Sequence, residues 1–97
     1  MSIVIVGGDH LGSIEEKLRS MGATELIHFT GRKAKHRNNI RLPRGAAFVI
    51  VLTDYVNHVT AVAVKDAAKS MDIPTIFAKR SWSSVEERIR SGGIVHA

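Results

Sequence analysis

The chain of 97 residues has no cysteine, only two prolines, and just three Phe, one Tyr and one Trp. Without cysteine there is no disulfide, thiolate metal site, iron–sulfur cluster or Cys nucleophile. That composition fits a reducing compartment. No apolar run approaches the ~18 residues needed to cross a bilayer. The stretch Met1 to Gly8 is apolar but lacks the basic n-region of a secretory signal. A soluble cytoplasmic protein is the expectation. Catalytic patterns are missing too. Gly7-Gly8-Asp9-His10-Leu11-Gly12 does not fit the dinucleotide fingerprint G-x-G-x-x-G, and no Walker motif occurs. There is no nucleophile elbow and no catalytic carboxylate pair. Asp9, Asp54 and Lys79 fall near strand ends, but no acidic pair follows the first strand, which argues against a phosphoacceptor. Nothing in the sequence speaks positively for an enzyme.

What is present is an ordinary globular composition, 44% hydrophobic and 24% charged. At this length one domain over residues 1–97 is expected. The net charge of +5 is a local property. Arg32, Lys33, Lys35, Arg37, Arg41 and Arg44 lie between Gly31 and Arg44 with no acid among them. Elsewhere eight basic residues face nine acids. Such a patch attracts phosphate, nucleic acid or an acidic partner, or else only keeps a loop solvated.

Ser2-Ile3-Val4-Ile5-Val6 is a β-branched run closed by Gly7-Gly8, and reads as a strand buried on both faces. Ser13-Ile14-Glu15-Glu16 has the form of a capping box, opening a helix over about 13–21. Gly22 stands where a left-handed C-terminal residue belongs. A second strand covers Glu25 to Thr30. The basic segment 31–45 has little apolar character and room for one short helix around Lys33–Asn38. Ala47 to Thr53 is the clearest central strand. A helix follows over about Tyr55 to Met71, with Val56, Val59, Ala63, Ala67 and Met71 as its apolar stripe. Pro74 precedes a fourth strand, Thr75 to Ala78. Ser83-Ser84-Val85-Glu86 resembles another capping box, opening a helix over about 84–91 that Gly92-Gly93 ends. The tail 94–97 could fray, add an edge strand or meet a partner.

Alternating strands and helices imply parallel pairing with right-handed crossovers. The expected fold is α/β: a small doubly wound, flavodoxin-like three-layer sandwich of four parallel strands in order 2-1-3-4. Its outer strands are open edges, so a homodimer or a covering segment is expected at one of them.

In such sheets ligands bind beyond the carboxyl ends of the strands, where the winding reverses. That places Gly7, Gly8, Asp9 and His10 beside Thr53, Asp54, Asn57 and His58. The flanking turns add Thr30, Gly31, Arg32 and Lys33 on one side and Lys79, Arg80, Ser81, Ser83 and Ser84 on the other. Helix N-termini with nearby cations favour an anion. Each residue also has a structural role open to it. Gly7-Gly8 suits any tight turn, and Asp54 and Ser83 suit helix caps. His10 and His58, on turns expected to converge, could orient a ligand or hold a metal or haem iron. The six cations of the basic segment could contact nucleic-acid phosphates, although the segment has no aromatic residue for stacking.

Gly7-Gly8-Asp9-His10, Phe29-Thr30, Thr53-Asp54-Tyr55-Val56-Asn57-His58 and Ser81-Trp82-Ser83-Ser84 together resemble a bacterial family, domain-of-unknown-function family 2325. The resemblance covers nearly the whole chain. Here Asp9-His10 stands where the family more often has histidine before aspartate, and Asn57 where it more often has a hydroxyl residue. The resemblance implies the α/β fold and the location of the rim, and no reaction. The reading is thus a cytoplasmic, non-catalytic binding or regulatory module for an anionic small ligand, with a nucleotide among the candidates. The alternatives are a nucleic-acid-binding protein using residues 32–44, and a metal or haem protein using His10 and His58. The cofactor, if any, is not specified by the sequence.

Overall fold

Ile3 to Val6 and Phe48 to Leu52 are almost wholly inaccessible to solvent. They belong to the two middle strands of a four-stranded parallel sheet with order β2-β1-β3-β4. The computed structural model of the chain describes residues 1–30 and 41–92. Its elements are β1 (Ser2–Val6), α1 (Ser13–Ser20), β2 (Glu25–Phe29), β3 (Ala46–Leu52), α2 (His58–Ser70), β4 (Thr75–Ala78) and α3 (Trp82–Ser91). The expected strands, their direction and their order are all found. The short helix expected around Lys33–Asn38 and the role expected for the tail 94–97 lie outside the described residues.

Strand alternation divides the core in two. Ile3, Ile5, Phe48, Ile50 and Leu52 face α1 and α3, packing on Ile14, Leu18, Val85 and Ile89. Val4, Val6, Val49 and Val51 face α2, packing on Val64 and Ala68, with Leu42 and Ile73 completing that side. Both faces of the middle strands are therefore dry, which is why these strands carry no alternating polar residues. Among the described residues, no helix is long and apolar enough to cross a membrane.

Three helix starts differ from the sequence expectation, each for a local reason. Ser13 is already helical, so its hydroxyl does not cap. Gly12 is the N-cap at φ 56 and ψ −132, with no side-chain cap bond. The box at Ser83 is also not the cap. Ser81, two residues earlier, accepts from the Ser84 amide at 3.3 Å. Asp54 does not cap either. α2 starts at His58, not Tyr55, because Asn57 Oδ1 accepts from the Thr60 amide at 2.7 Å. The later start changes the buried stripe to Thr60, Ala63, Val64 and Ala68, and leaves Val59 52% exposed. The strand ends are corrected by one residue: β2 stops at Phe29 and β3 runs from Ala46 to Leu52.

Candidate functional site

Among the described residues, α1, α2 and α3 all start at the carboxyl end of the sheet, because each follows a parallel strand. The turns there are held in contact by Arg80. Its guanidinium donates to the His10 carbonyl at 2.8 Å and stands 5.0 Å from the Tyr55 ring centroid. Its backbone N–H donates to Asp54 Oδ1 at 3.0 Å. One residue after β4 thus fastens the turn after β1 and the turn after β3. Those are the two turns on either side of the winding reversal.

The glycines allow this closeness. Gly7 has φ 114, and a Cβ on it would lie 2.9 Å from Val56 Cγ1 and 3.1 Å from the Leu52 carbonyl. Gly8 has φ 76, and its Cβ would press on Arg80 Cδ at 3.2 Å. A side chain on either would push the first turn away from β3 or from Arg80. Gly7 is also bonded on both sides. Its N–H donates to the Phe29 carbonyl at 2.8 Å, and its carbonyl lies 2.9 Å from His28 Nε2. A carbonyl only accepts, so that nitrogen carries a proton.

Several expected ligand contacts are engaged in holding the rim itself. Thr53 Oγ1 donates to the Ala78 carbonyl at 3.4 Å. Asn57 and Ser81 are helix caps, as above. The Lys79 amide donates to Ser84 Oγ at 3.0 Å, and Ser83 Oγ stands 3.5 Å from Ser81 Oγ. Asp9, His10, Thr30, His58, Lys79 and Arg80 are exposed, and Gly7 and Gly8 are buried. Arg32, Lys33, Lys35 and Arg37 fall outside the described residues. Arg41 and Arg44 are exposed and lead into the first residue of β3. They therefore belong to the opposite end of the sheet from His10.

Electrostatics distinguish the helix starts. α1 has Glu15 and Glu16 in its first turn, the sign that suits a helix N-terminus. α2 and α3 have no acid in theirs. Cationic Lys79 and Arg80 stand just before α3 instead. Positive charge beside a helix start is the unfavourable arrangement unless an anion lies between.

Beside the rim, a cleft of about 410 Å³ runs between α1 and β2, lined by Asp9, His10, Leu11, Gly12, Glu15, Arg19, Leu26 and His28. His10 shares it with His28, and His58 is not among its lining residues. Among the described residues, no group of three or more His, Asp or Glu could hold a metal ion.

Sequence reasoning missed Tyr55, His28 and Thr60. Tyr55 is 50% exposed and carries the Arg80 contact. It is the chain's one tyrosine, directly after a strand-end acid, which was the available signal. His28 looks in sequence like any polar residue of a strand. The Thr60 hydroxyl is buried with no hydrogen-bond partner, which no sequence pattern foretells.

The family model of an uncharacterized protein conserved in bacteria, domain-of-unknown-function family 2325, matches residues 2–91. No curated protein and no solved structure matches the chain.

Proposed function

The chain belongs to domain-of-unknown-function family 2325, and from that premise we propose that it is a cytoplasmic, non-catalytic binding or regulatory module whose carboxyl-end rim takes an anionic small ligand. One observation carries the reading: α2 and α3 begin without an acid in the first turn, and Lys79 and Arg80 stand at the start of α3. The neutral caps Asn57 and Ser81 each take one amide, and Asp54 takes that of Arg80 before α3. With no acid in either first turn the other first amides stay open to an anion, and two cations beside α3 raise the local potential further. An anion relieves both.

In this reading the first amides of α2 and α3 and the Lys79 ammonium receive the charged group. His58, exposed at the first position of α2, orients it. Gly7 and Gly8 keep the first turn low enough for close approach. Arg80 keeps the turns together, with donors left over to reach the ligand. Tyr55, half exposed next to Arg80, is the aromatic surface that a nucleobase would need, so a nucleotide is the ligand class that uses most of the rim. A homodimer formed through a sheet edge is compatible with this reading, because the edges and the rim are different surfaces.

Titration calorimetry with ADP, AMP and inorganic phosphate tests the proposal. Binding of at least one of them, abolished by Lys79→Glu and retained in Arg44→Glu, is the expected result. Equal binding by the chain and Lys79→Glu would place the anion elsewhere, and no binding of any of the three would leave the rim without the ligand proposed.

A further inference from the structure

Among the described residues, none pairs with the outer edge of β4. The β3–β4 ladder determines which backbone groups point outward. The Val49 amide donates to the Pro74 carbonyl and the Thr53 amide to the Ala78 carbonyl, each at 2.8 Å. In a parallel pair a residue's N–H and C=O point the same way. Pro74, Ile76 and Ala78 therefore face β3, while Thr75 and Phe77 turn theirs away from the sheet. The outward groups on either side are already engaged. The Lys79 amide donates to Ser84 Oγ, and the Ile73 amide to the Ala68 carbonyl at 2.9 Å.

Among the described residues, the two faces beside this edge are grooved. On the α2 side a groove of about 400 Å³ is lined by Lys65, Lys69, Asp72, Ile73, Pro74 and Phe77, among others. On the α3 side a second groove, about 290 Å³, includes Ile76 and Arg88. Phe77 is 36% exposed and takes no part in either core cluster. The strand carries none of the charges or bulges that usually keep an edge from pairing.

We infer that β4 pairs antiparallel with β4 of a second copy of this chain, about a two-fold axis through Ile76, to make one continuous sheet across two protomers. The register follows from the open groups. Thr75 opposite the partner's Phe77, and Phe77 opposite the partner's Thr75, are two hydrogen-bonded pairs that use every outward N–H and C=O. A shift by one residue brings outward groups opposite inward ones, and a larger shift leaves them unmatched. Thr75 and Phe77 then meet as β-branched–aromatic cross-strand pairs on the α2 side. The α2-side groove of each copy carries Lys65, Lys69 and Asp72, so each copy brings both signs of charge to the seam. The occupant that fits is a second copy because the same patch supplies both halves of each match. This inference does not depend on the ligand reading.

The experiment is sedimentation velocity of the full chain from low to high micromolar concentration, with Phe77→Lys and Ile76→Cys. The chain is expected to reach twice its 10.6 kDa mass. Phe77→Lys places like charges in the interface without touching the core, so it should remain folded by circular dichroism and monomeric. At the two-fold axis, the Ile76 pair has Cα atoms about 4.5 Å apart, within disulfide reach. Ile76→Cys should therefore cross-link on mild oxidation, with Ser20→Cys, exposed on α1, as the uncross-linked control. A chain that stays monomeric throughout overturns the proposal. So does a Phe77→Lys variant that still dimerises. If Ile76→Cys fails to fold, the Phe77→Lys comparison decides alone.

Discussion

At the amino end of the sheet two helices close on their own backbone, and Met1, Ser2, Thr24 and Glu25 bond the starts of β1 and β2. At the carboxyl end, side chains reach between turns much farther apart in the chain. α1 and α2 both finish at the amino end in the same motif. The Ala23 amide donates to the Leu18 carbonyl and the Gly22 amide to that of Arg19. The Ile73 amide donates to Ala68 and the Asp72 amide to Lys69. Such paired bonds satisfy helix-end carbonyls locally. Basic residues in the last turns, Lys17, Arg19, Lys69, Arg88 and Arg90, have the sign that suits helix C-termini. The carboxyl end has no such closure. Asn57, Asp54, Ser81, Ser84 and Arg80 hold it, over separations of up to 70 residues. Neither α2 nor α3 has an acid in its own first turn, and Asp54 stands beside Lys79 and Arg80 before α3. One end of the molecule satisfies local rules, and the other departs from them where a ligand would compensate.

The sharpest contrast comes from alanine at two glycines of positive φ. Gly7→Ala at the rim combines strained backbone with a Cβ 2.9 Å from Val56. It should destabilise the chain by roughly 2–4 kcal/mol in urea denaturation. Gly22→Ala at the amino end has φ 110 but nothing within 4 Å of the added carbon. It should cost only about 1 kcal/mol. Equal costs would mean that packing at the first turn contributes nothing.

A smaller effect should follow from removing a rim cap. Asn57→Ala loses the bond to the Thr60 amide and should lower stability by about 1 kcal/mol. Thermal unfolding measures it, and an unchanged midpoint would mean that α2 starts elsewhere in solution.

The smallest change should be a gain. The Thr60 hydroxyl is buried without a partner, so the nearly isosteric Thr60→Val should stabilise by about 0.5–1 kcal/mol. A loss of stability would show that the hydroxyl is bonded after all.

The sequence made the middle of this molecule legible and its rim only in outline. The β-branched runs Ser2–Val6 and Ala46–Leu52 are too apolar to face water on either side, so parallel pairing and strand order followed from alternation alone. Gly22 marked the end of α1 for a conformational reason that any sequence shows. The helix starts were harder. Ser13, Asp54 and Ser83 all have capping chemistry, and which residue caps depends on where the preceding turn releases the chain. Gly12, Asn57 and Ser81 are the residues so placed. The turns of the rim were located correctly in the chain, but not the bonds among them. Arg80 reaching His10 and Tyr55 is a tertiary event, and His28 meeting the Gly7 carbonyl depends on strand register.

The central claim is that the starts of α2 and α3 receive an anion, and amide chemical shifts read those groups one by one. The ¹H–¹⁵N spectrum of the full chain should be followed while ADP, and separately inorganic phosphate, is added at constant ionic strength. The amides of His58, Val59, Trp82 and Ser83 should move together and saturate, with the first turn of α1, which carries Glu15 and Glu16, unmoved. Shifts confined to Arg41 and Arg44, or none at the α2 and α3 starts with either anion, would contradict the account.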